Sequence, residues 1–161
     1  MALLICALSS AAAQALEGTV TRVTDGDTVW VQPAEQGRRR VKLRLEGIDA
    51  PESCQPWGPQ ATAALRQRVL GRVVQVPEQG HDRYGRALGD LMLGQEDVGA
   101  WMVSQGHAWS YRVHGESGRY DREESQARQS ARGLFSLADP MRPYVFRRVH
   151  GACATPSGRG P

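Results

Sequence analysis

Three short segments near the start of the chain alternate apolar and polar residues, with turn signals between them. They are Gly18 to Arg22, Thr28 to Gln32 and Arg40 to Leu45, with Val, Thr or Leu at alternate positions. Asp25-Gly26 separates the first two segments, and Pro33 to Gly37 separates the second from the third. Period-two alternation is typical of strands with one face in a core. The pattern therefore predicts a three-stranded meander, the start of a small barrel.

Two more strands and a helix are predicted in the next part of the chain. Pro59 to Leu70 has a proline near its first turn and Gly71 after its end, which is typical of a helix. Arg72 to Val76 and Arg86 to Leu93 indicate strands, and we interpret Glu78 to Tyr84 as a polar loop between them.

Two further helices are predicted at Asp97 to Gln105 and Arg119 to Arg132. The expected fold class is α+β, mainly β: a five-stranded OB-fold barrel with three helices. OB-folds commonly bind oligonucleotides, but a fold alone does not define a function. No internal repeat or linker divides the chain, so we expect one domain over residues 16–150.

The charge balance is mildly basic. The 161 residues carry a net charge of +3, which points weakly to an anionic partner such as nucleic acid. Lys42 is the single lysine, so 19 of the 20 Lys and Arg residues are arginine. Arginine suits phosphate, but genome base composition explains the same bias. The chain has no asparagine, which excludes N-glycosylation and nucleophile or metal sites that need Asn.

The first fifteen residues resemble a secretory signal, because an apolar run is followed by small residues. Ala13-Gln14-Ala15 fits the A-x-A cleavage rule. No Lys or Arg precedes the apolar run, so a frayed N-terminal tail is the alternative. We expect residues 1–15 to be removed, and a periplasmic or secreted bacterial location with no membrane partner for the mature form. Residues 151–161, rich in Pro, Gly and Ser, are expected to form a disordered tail.

Cleavage after Ala15 would remove Cys6 and leave Cys54 and Cys153. An even number of cysteines in an exported chain favours a disulfide. Two free thiols are the alternative. Zinc is disfavoured, because no C-x-x-C or paired His spacing accompanies these cysteines.

Several carboxylates occur at predicted strand ends. Asp27 follows a tight turn and Asp49 ends the next strand but one, so both can converge at one end of a barrel. Two carboxylates with a backbone carbonyl and waters suit calcium and leave room for a phosphate. Glu52 follows Pro51, and its position suits removal of a proton from an attacking water. Each signal alone is also typical of an ordinary turn or loop. We interpret Asp25 as such a turn residue.

Two arginines can complete such a site. Arg44 lies on the strand face opposite Leu43 and Leu45, and Arg86 follows Tyr84-Gly85. Two guanidinium groups on one phosphate would offset the charge that develops during in-line attack. A surface position is the alternative for either arginine.

Four separated motifs give the chain a recognisable order. They are Asp25-Gly26-Asp27-Thr28, Arg44 with Asp49 five residues later, Asp49-Ala50-Pro51-Glu52, and Asp82-Arg83-Tyr84-Gly85-Arg86. In this order and spacing they resemble the staphylococcal nuclease (thermonuclease) family, over about Leu16 to Phe135. The segment after Glu52 departs from the prototype, because it is shorter and carries Cys54.

The resemblance implies an OB-fold enzyme that uses Ca²⁺ to hydrolyse phosphodiester bonds in DNA and RNA. It assigns calcium binding to Asp27, Asp49 and the Ala50 carbonyl, and catalysis to Glu52, Arg44 and Arg86. It further implies substrate contacts by Arg83, Tyr84 and Tyr111. We expect a monomer whose partners are its DNA and RNA substrates.

Two other function classes compete with a nuclease. A non-catalytic nucleic-acid-binding OB module would have no need of Glu52, so the intact set of acids and arginines disfavours it. An oligosaccharide-binding or protein-interaction barrel is disfavoured by the same combination of three carboxylates and two arginines.

Overall fold

The computed structural model describes residues 15–77, 79–82, 85–113 and 116–153. These residues form ten strands, many of them short. They are β1 (Leu16–Asp25), β2 (Thr28–Pro33), β3 (Val41–Leu45), β4 (Ile48–Asp49), β5 (Val73–Val76), β6 (Gln79–His81), β7 (Ala87–Gly89), β8 (Met92–Leu93), β9 (Glu96–Asp97) and β10 (Trp109–Ser110).

The three predicted N-terminal strands form the centre of the sheet. β1, β2 and β3 pair antiparallel in chain order, as a meander requires. The eight-stranded sheet has the order β6-β7-β3-β2-β1-β5-β8-β9, with β3 and β7 parallel. β4 and β10 form a separate antiparallel pair. The predicted α+β, mainly β class, consistent with an OB-fold, is confirmed.

Four α-helices flank the strands within the described residues. They are α1 (Gly58–Val69), α2 (Val98–Ser104), α3 (Asp121–Gln129) and α4 (Pro143–His150). The first three correspond to the predicted helices, and the Asp97 side chain caps α2 by accepting from the Ala100 amide at 3.1 Å. The prediction of three helices was wrong by one. A short 3-10 helix (Gly133–Ser136) follows α3.

Two strand predictions also need correction. The segment interpreted as a polar loop contains β6, which pairs with β7 as a hairpin. The single strand predicted from Arg86 to Leu93 is divided into β7 and β8, because each half pairs with a different neighbour: β7 with β3 and β6, and β8 with β5 and β9.

One continuous apolar core lies between the sheet and the first two helices. It includes alternate residues of the central strands, such as Val29, Val31 and Leu43, and Leu65 of α1. A smaller cluster under α3 contains Trp109, Ala127, Leu134 and Phe135. Together these clusters fix the ends of β1, β3 and β4, where the charged residues lie.

The structure joins Cys54 and Cys153 in a disulfide with a Cα–Cα distance of 5.6 Å. The predicted disulfide is therefore present. Residues 1–14 of the expected signal segment and residues 154–161 of the expected tail lie outside the described residues. None of the described helices has the length and apolar character to span a bilayer.

Candidate active site

A cleft of about 640 Å³ opens where the ends of β1, β3 and β4 meet the loop that follows β4. Thirteen residues line it, and most are charged: Asp25, Asp27, Thr28, Arg44, Asp49, Ala50, Pro51, Glu52, Asp82, Arg86, Leu88, Tyr111 and Arg147. The structure thus brings together the predicted residues Asp27, Arg44, Asp49, Ala50, Glu52, Arg86 and Tyr111.

The tight turn between β1 and β2 positions Asp27. Its amide donates to Asp25 Oδ1 at 3.1 Å, and its own Oδ1 accepts from the Thr28 hydroxyl at 2.9 Å. Asp27 is buried. Gly26 permits this arrangement, because a Cβ there would lie 2.7 Å from the Ala50 Cβ. The turn and the Asp49-Ala50 segment are therefore in direct contact.

Asp49 is held opposite Asp27 by strand pairing. It is the last residue of β4 and pairs with Trp109 of β10, a buried residue. The adjacent Ala50 amide donates to Asp27 Oδ2 at 3.3 Å. Two sequence-distant segments thus present two buried carboxylates to the same end of the cleft.

Arg44 lies between the two carboxylates. Its guanidinium forms an ion pair with Asp27 and a second, at 3.4 Å, with Asp49 Oδ1. It also donates to the Ile48 carbonyl at 3.4 Å. β3 positions it, because Arg44 is paired with Thr28 on one side and with Leu88 on the other.

Two acids of the cluster, Asp25 and Asp49, hold their protons more tightly than exposed acids do, so their pKa values are raised. Burial, together with repulsion by Asp27, raises the pKa of Asp49 to about 6. The same causes raise the pKa of Asp25. Burial alone would lower the pKa of Arg44, but attraction to Asp27 and Asp49 outweighs it and raises that pKa. Asp25, Asp27 and Asp49 thus outnumber the one guanidinium that forms ion pairs with Asp27 and Asp49.

Glu52 is fixed by the loop that precedes α1. Its amide donates to Gln55 Oε1 at 3.1 Å, and its carbonyl accepts from the Gln55 amide at 2.9 Å. Gly58 permits the close turn, because a Cβ there would lie 1.9 Å from the Glu52 carbonyl oxygen. The Glu52 carboxylate pairs with Arg147 of α4.

Asp82 holds Arg86. Its two carboxylate oxygens accept from the Arg86 amide at 2.9 Å and from Arg86 Nε at 2.7 Å. The Asp82 amide in turn donates to the Arg86 carbonyl at 2.9 Å. The two ends of the predicted motif are thus bonded to each other, and this fixes one guanidinium at the cleft.

Of the three predicted substrate contacts, Tyr111 lies among the described residues. Tyr111 lines the cleft and is about half exposed, so its ring is accessible. Arg83 and Tyr84 lie outside the described residues.

Three cleft features were not predicted from the sequence. Asp25, which we interpreted as a turn residue, lines the cleft as well as bracing the turn. Gln55 is buried and donates to the Met141 carbonyl just before α4, which ties the Glu52 loop to the C-terminal segment. Arg147 enters the cleft from α4. Its helix has sequence signals, namely Pro143 at the start and Gly151 after the end.

No cluster of three or more His, Cys, Asp or Glu side chains meets the spacing of a metal site among the described residues. Asp27 and Asp49 supply two oxygen-donor side chains, and a carbonyl from the same segment would be a third ligand of a different kind. Hard cations such as calcium accept mixed sets of carboxylates, carbonyls and waters.

Comparison with known proteins identifies the family of the chain. A family model described as "Staphylococcal nuclease homologue" matches residues 42–136. Protein ParB of Escherichia coli is 39% identical over 158 residues, which covers 91% of this chain and 88% of ParB. An uncharacterized endonuclease of Escherichia coli O157:H7 is 38% identical, covering 82% of this chain and 85% of its own length. A micrococcal nuclease of Shigella flexneri is 36% identical, covering 82% and 80%.

The family model and these relatives show a phosphodiester-cleaving enzyme of the nuclease class. The chain belongs to the staphylococcal nuclease family. The family model begins after Asp27 and ends before α4. It therefore contains neither Asp25 and Asp27 nor Arg147.

Proposed function

We propose that the protein is an exported, calcium-dependent nuclease that hydrolyses phosphodiester bonds in DNA and RNA. One observation carries the proposal: buried Asp27 and Asp49 face Arg44 in a cleft that Glu52 and Arg86 also line. Carboxylates for a hard cation, arginines for a phosphate and a carboxylate for a water are the groups that such hydrolysis needs.

Calcium fits the donor set of this cleft. Asp27, Asp49 and the Ala50 carbonyl would hold it, because carboxylate and carbonyl oxygens are the ligands that calcium accepts. When bound, calcium would act as a Lewis acid that polarises the phosphate and stabilises the added charge.

Glu52 is proposed to be the general base. As the oxygen of a water attacks phosphorus, Glu52 accepts a proton from that water, and the bond from phosphorus to the leaving oxygen breaks. Arg44 and Arg86 offset the charge on the phosphate, since guanidinium groups donate bidentate hydrogen bonds to phosphate oxygens. Tyr111 is proposed to contact the adjacent nucleotide, as are Arg83 and Tyr84.

Export is supported by two features. The Cys54–Cys153 disulfide is typical of proteins in oxidising compartments. The apolar segment ahead of Ala15 has the pattern of a secretory signal. Sequencing the N-terminus of the periplasmic or secreted protein tests export, since retention of Met1 would contradict cleavage near Ala15.

Plasmid DNA and RNA digestion in calcium, magnesium or chelator tests the activity. We expect cleavage of both substrates with calcium and none with chelator. Glu52→Gln should slow cleavage by about 100-fold or more, because general-base catalysis contributes on that order. Glu46→Gln is the matched control, since Glu46 is an exposed carboxylate six residues away.

Full digestion in chelator would contradict calcium dependence, and an unchanged rate for Glu52→Gln would contradict the assigned base. Tight nucleic-acid binding without cleavage under any metal condition would instead support a non-catalytic binding module.

A further inference from the structure

Arg147 gives the cleft a third arginine from a part of the chain that the family model does not match. It lies on α4, beyond residue 136, and its guanidinium pairs with the Glu52 carboxylate across 95 residues of sequence. It lines the same cleft as Arg44 and Arg86. A cation paired with the proposed general base limits the access of that carboxylate to the attacking water.

Contacts at both ends of α4 hold Arg147 at the cleft. Before the helix, the Met141 carbonyl accepts from the buried Gln55 side chain. After it, Cys153 is joined to Cys54, two residues beyond Glu52. Within it, the buried Phe146 ring faces inward. The helix is therefore anchored to the same loop that carries Glu52.

The ion pairs of the three arginines differ in burial. Arg44 is held by two buried carboxylates, and Arg86 is held by Asp82 through its side chain and its amide. The Arg147 and Glu52 side chains are 47% and 27% exposed, respectively. Partly exposed ion pairs contribute little net stability and are screened by salt. A substrate phosphate can therefore replace Glu52 as the partner of Arg147 at low cost.

We propose that Arg147 binds a backbone phosphate next to the scissile one, and that this exchange releases Glu52 from its ion pair when a polymeric substrate enters. This rests on the proposed function. A guanidinium binds phosphate bidentately, so the exchange replaces one charge-assisted contact with another. Arg147 thus makes the cleft specific for chains with more than one phosphodiester.

A comparison of two substrates tests the proposal. The first is a single-stranded DNA of about 12 nucleotides, and the second is bis(p-nitrophenyl) phosphate, which has one phosphodiester and no flanking phosphate. Arg147→Gln should raise KM for the oligonucleotide by about tenfold, the effect of losing one charge-assisted contact. Its kcat/KM for the small diester should rise, because that substrate has no flanking phosphate to release Glu52 and the variant leaves Glu52 without its Arg147 partner.

Arg148→Gln is the matched control. Arg148 is the next residue of α4, is exposed and does not line the cleft, so its removal changes net charge equally without touching the site. It should leave both substrates unaffected. Equal losses on both substrates for Arg147→Gln would overturn the proposal, because Arg147 would then act at the scissile phosphate or on the fold. An unchanged oligonucleotide KM would also overturn it.

A binding assay separates this inference from the proposed function. Fluorescence anisotropy of a labelled oligonucleotide in chelator needs no cleavage. Loss of one phosphate contact should make the slope of log K against log salt shallower by about 0.7 in Arg147→Gln. If wild type does not cleave any substrate but this difference remains, the nuclease mechanism fails and the phosphate contact stands. Identical slopes for both proteins overturn the inference.

Discussion

Glu124 of α3 accepts a hydrogen bond from the backbone amide of Ser110 at 2.9 Å, and its side chain is almost completely buried. Ser110 belongs to β10, the strand that pairs with β4 and so flanks Asp49. Three arginines surround the carboxylate: Arg112, Arg128 and Arg142. A buried charge thus ties the third helix to the strand pair that carries one acid of the cleft.

Glu124→Gln should lower the free energy of unfolding by about 2–3 kcal/mol. Removal of one partner of a fully buried ion pair costs roughly 3–5 kcal/mol, and the partial exposure of the three arginines reduces that cost. Urea denaturation measures the change. Glu123→Gln removes the same charge from the same turn of α3 and should have a much smaller effect; equal losses would show that charge number, not the buried network, matters.

Gln55→Ala should lower kcat by about 10- to 100-fold, because misplacement of a catalytic group by about 1 Å has effects of that size. The reason is the loss of two bonds, from the Glu52 amide and to the Met141 carbonyl, that fix the Glu52 loop. Steady-state kinetics on DNA gives the value. Gln60→Ala, at an exposed position of α1, is the control. A wild-type kcat in Gln55→Ala would show that the loop needs no such brace.

His107 should make stability depend on pH. Burial lowers its pKa from the ordinary value of 6.5, and its Nδ1 accepts a hydrogen bond from Trp57 Nε1 at 3.2 Å. As pH falls below about 6.5, the unfolded histidine binds a proton that the folded one resists, so the folded state loses stability. His107→Gln should therefore lose less Tm than wild type between pH 7 and pH 5.

The matched control for this prediction is His81→Gln, because His81 is exposed. Thermal unfolding at several pH values measures all three proteins. If the wild type and His107→Gln show parallel Tm curves, His107 does not contribute to the acid sensitivity.

Reduction of the Cys54–Cys153 disulfide should destabilise the fold by up to about 4–5 kcal/mol. The cysteines are 99 residues apart, and closing a loop of that length removes much chain entropy from the unfolded state. Chemical denaturation with and without dithiothreitol measures this. A variant with both Cys54→Ser and Cys153→Ser should resemble the reduced protein and be insensitive to dithiothreitol. Equal stability of oxidised and reduced wild type would contradict the prediction.

The acids and arginines on strands were predictable, because local patterns place them. Asp27 follows a Gly turn, Arg44 alternates with core leucines, and Asp49 ends a strand, so period-two geometry and turn chemistry direct all three to one edge. The Asp82–Arg86 turn is likewise defined within five residues.

The positions of Gln55 and Arg147 depend on contacts between distant parts of the sequence, which no local pattern encodes. Gln55 contacts Met141 across 86 residues, and Arg147 meets Glu52 across 95. Both depend on how α4 docks, and α4 is only eight residues long, with two arginines side by side. Charged pairs on short helices are usually solvated, so the sequence offers no reason to choose Arg147 over Arg148.

The long span of the disulfide determines what a single proteolytic cut does to the chain. Cys54 and Cys153 enclose every loop from α1 to α4, so one backbone cut in any of those loops yields two pieces that remain covalently joined. The nicked halves cannot diffuse apart, and Glu52 on the first piece stays joined to the piece that carries Arg147. On a gel, such a molecule would run as one band until a reductant separates it into two.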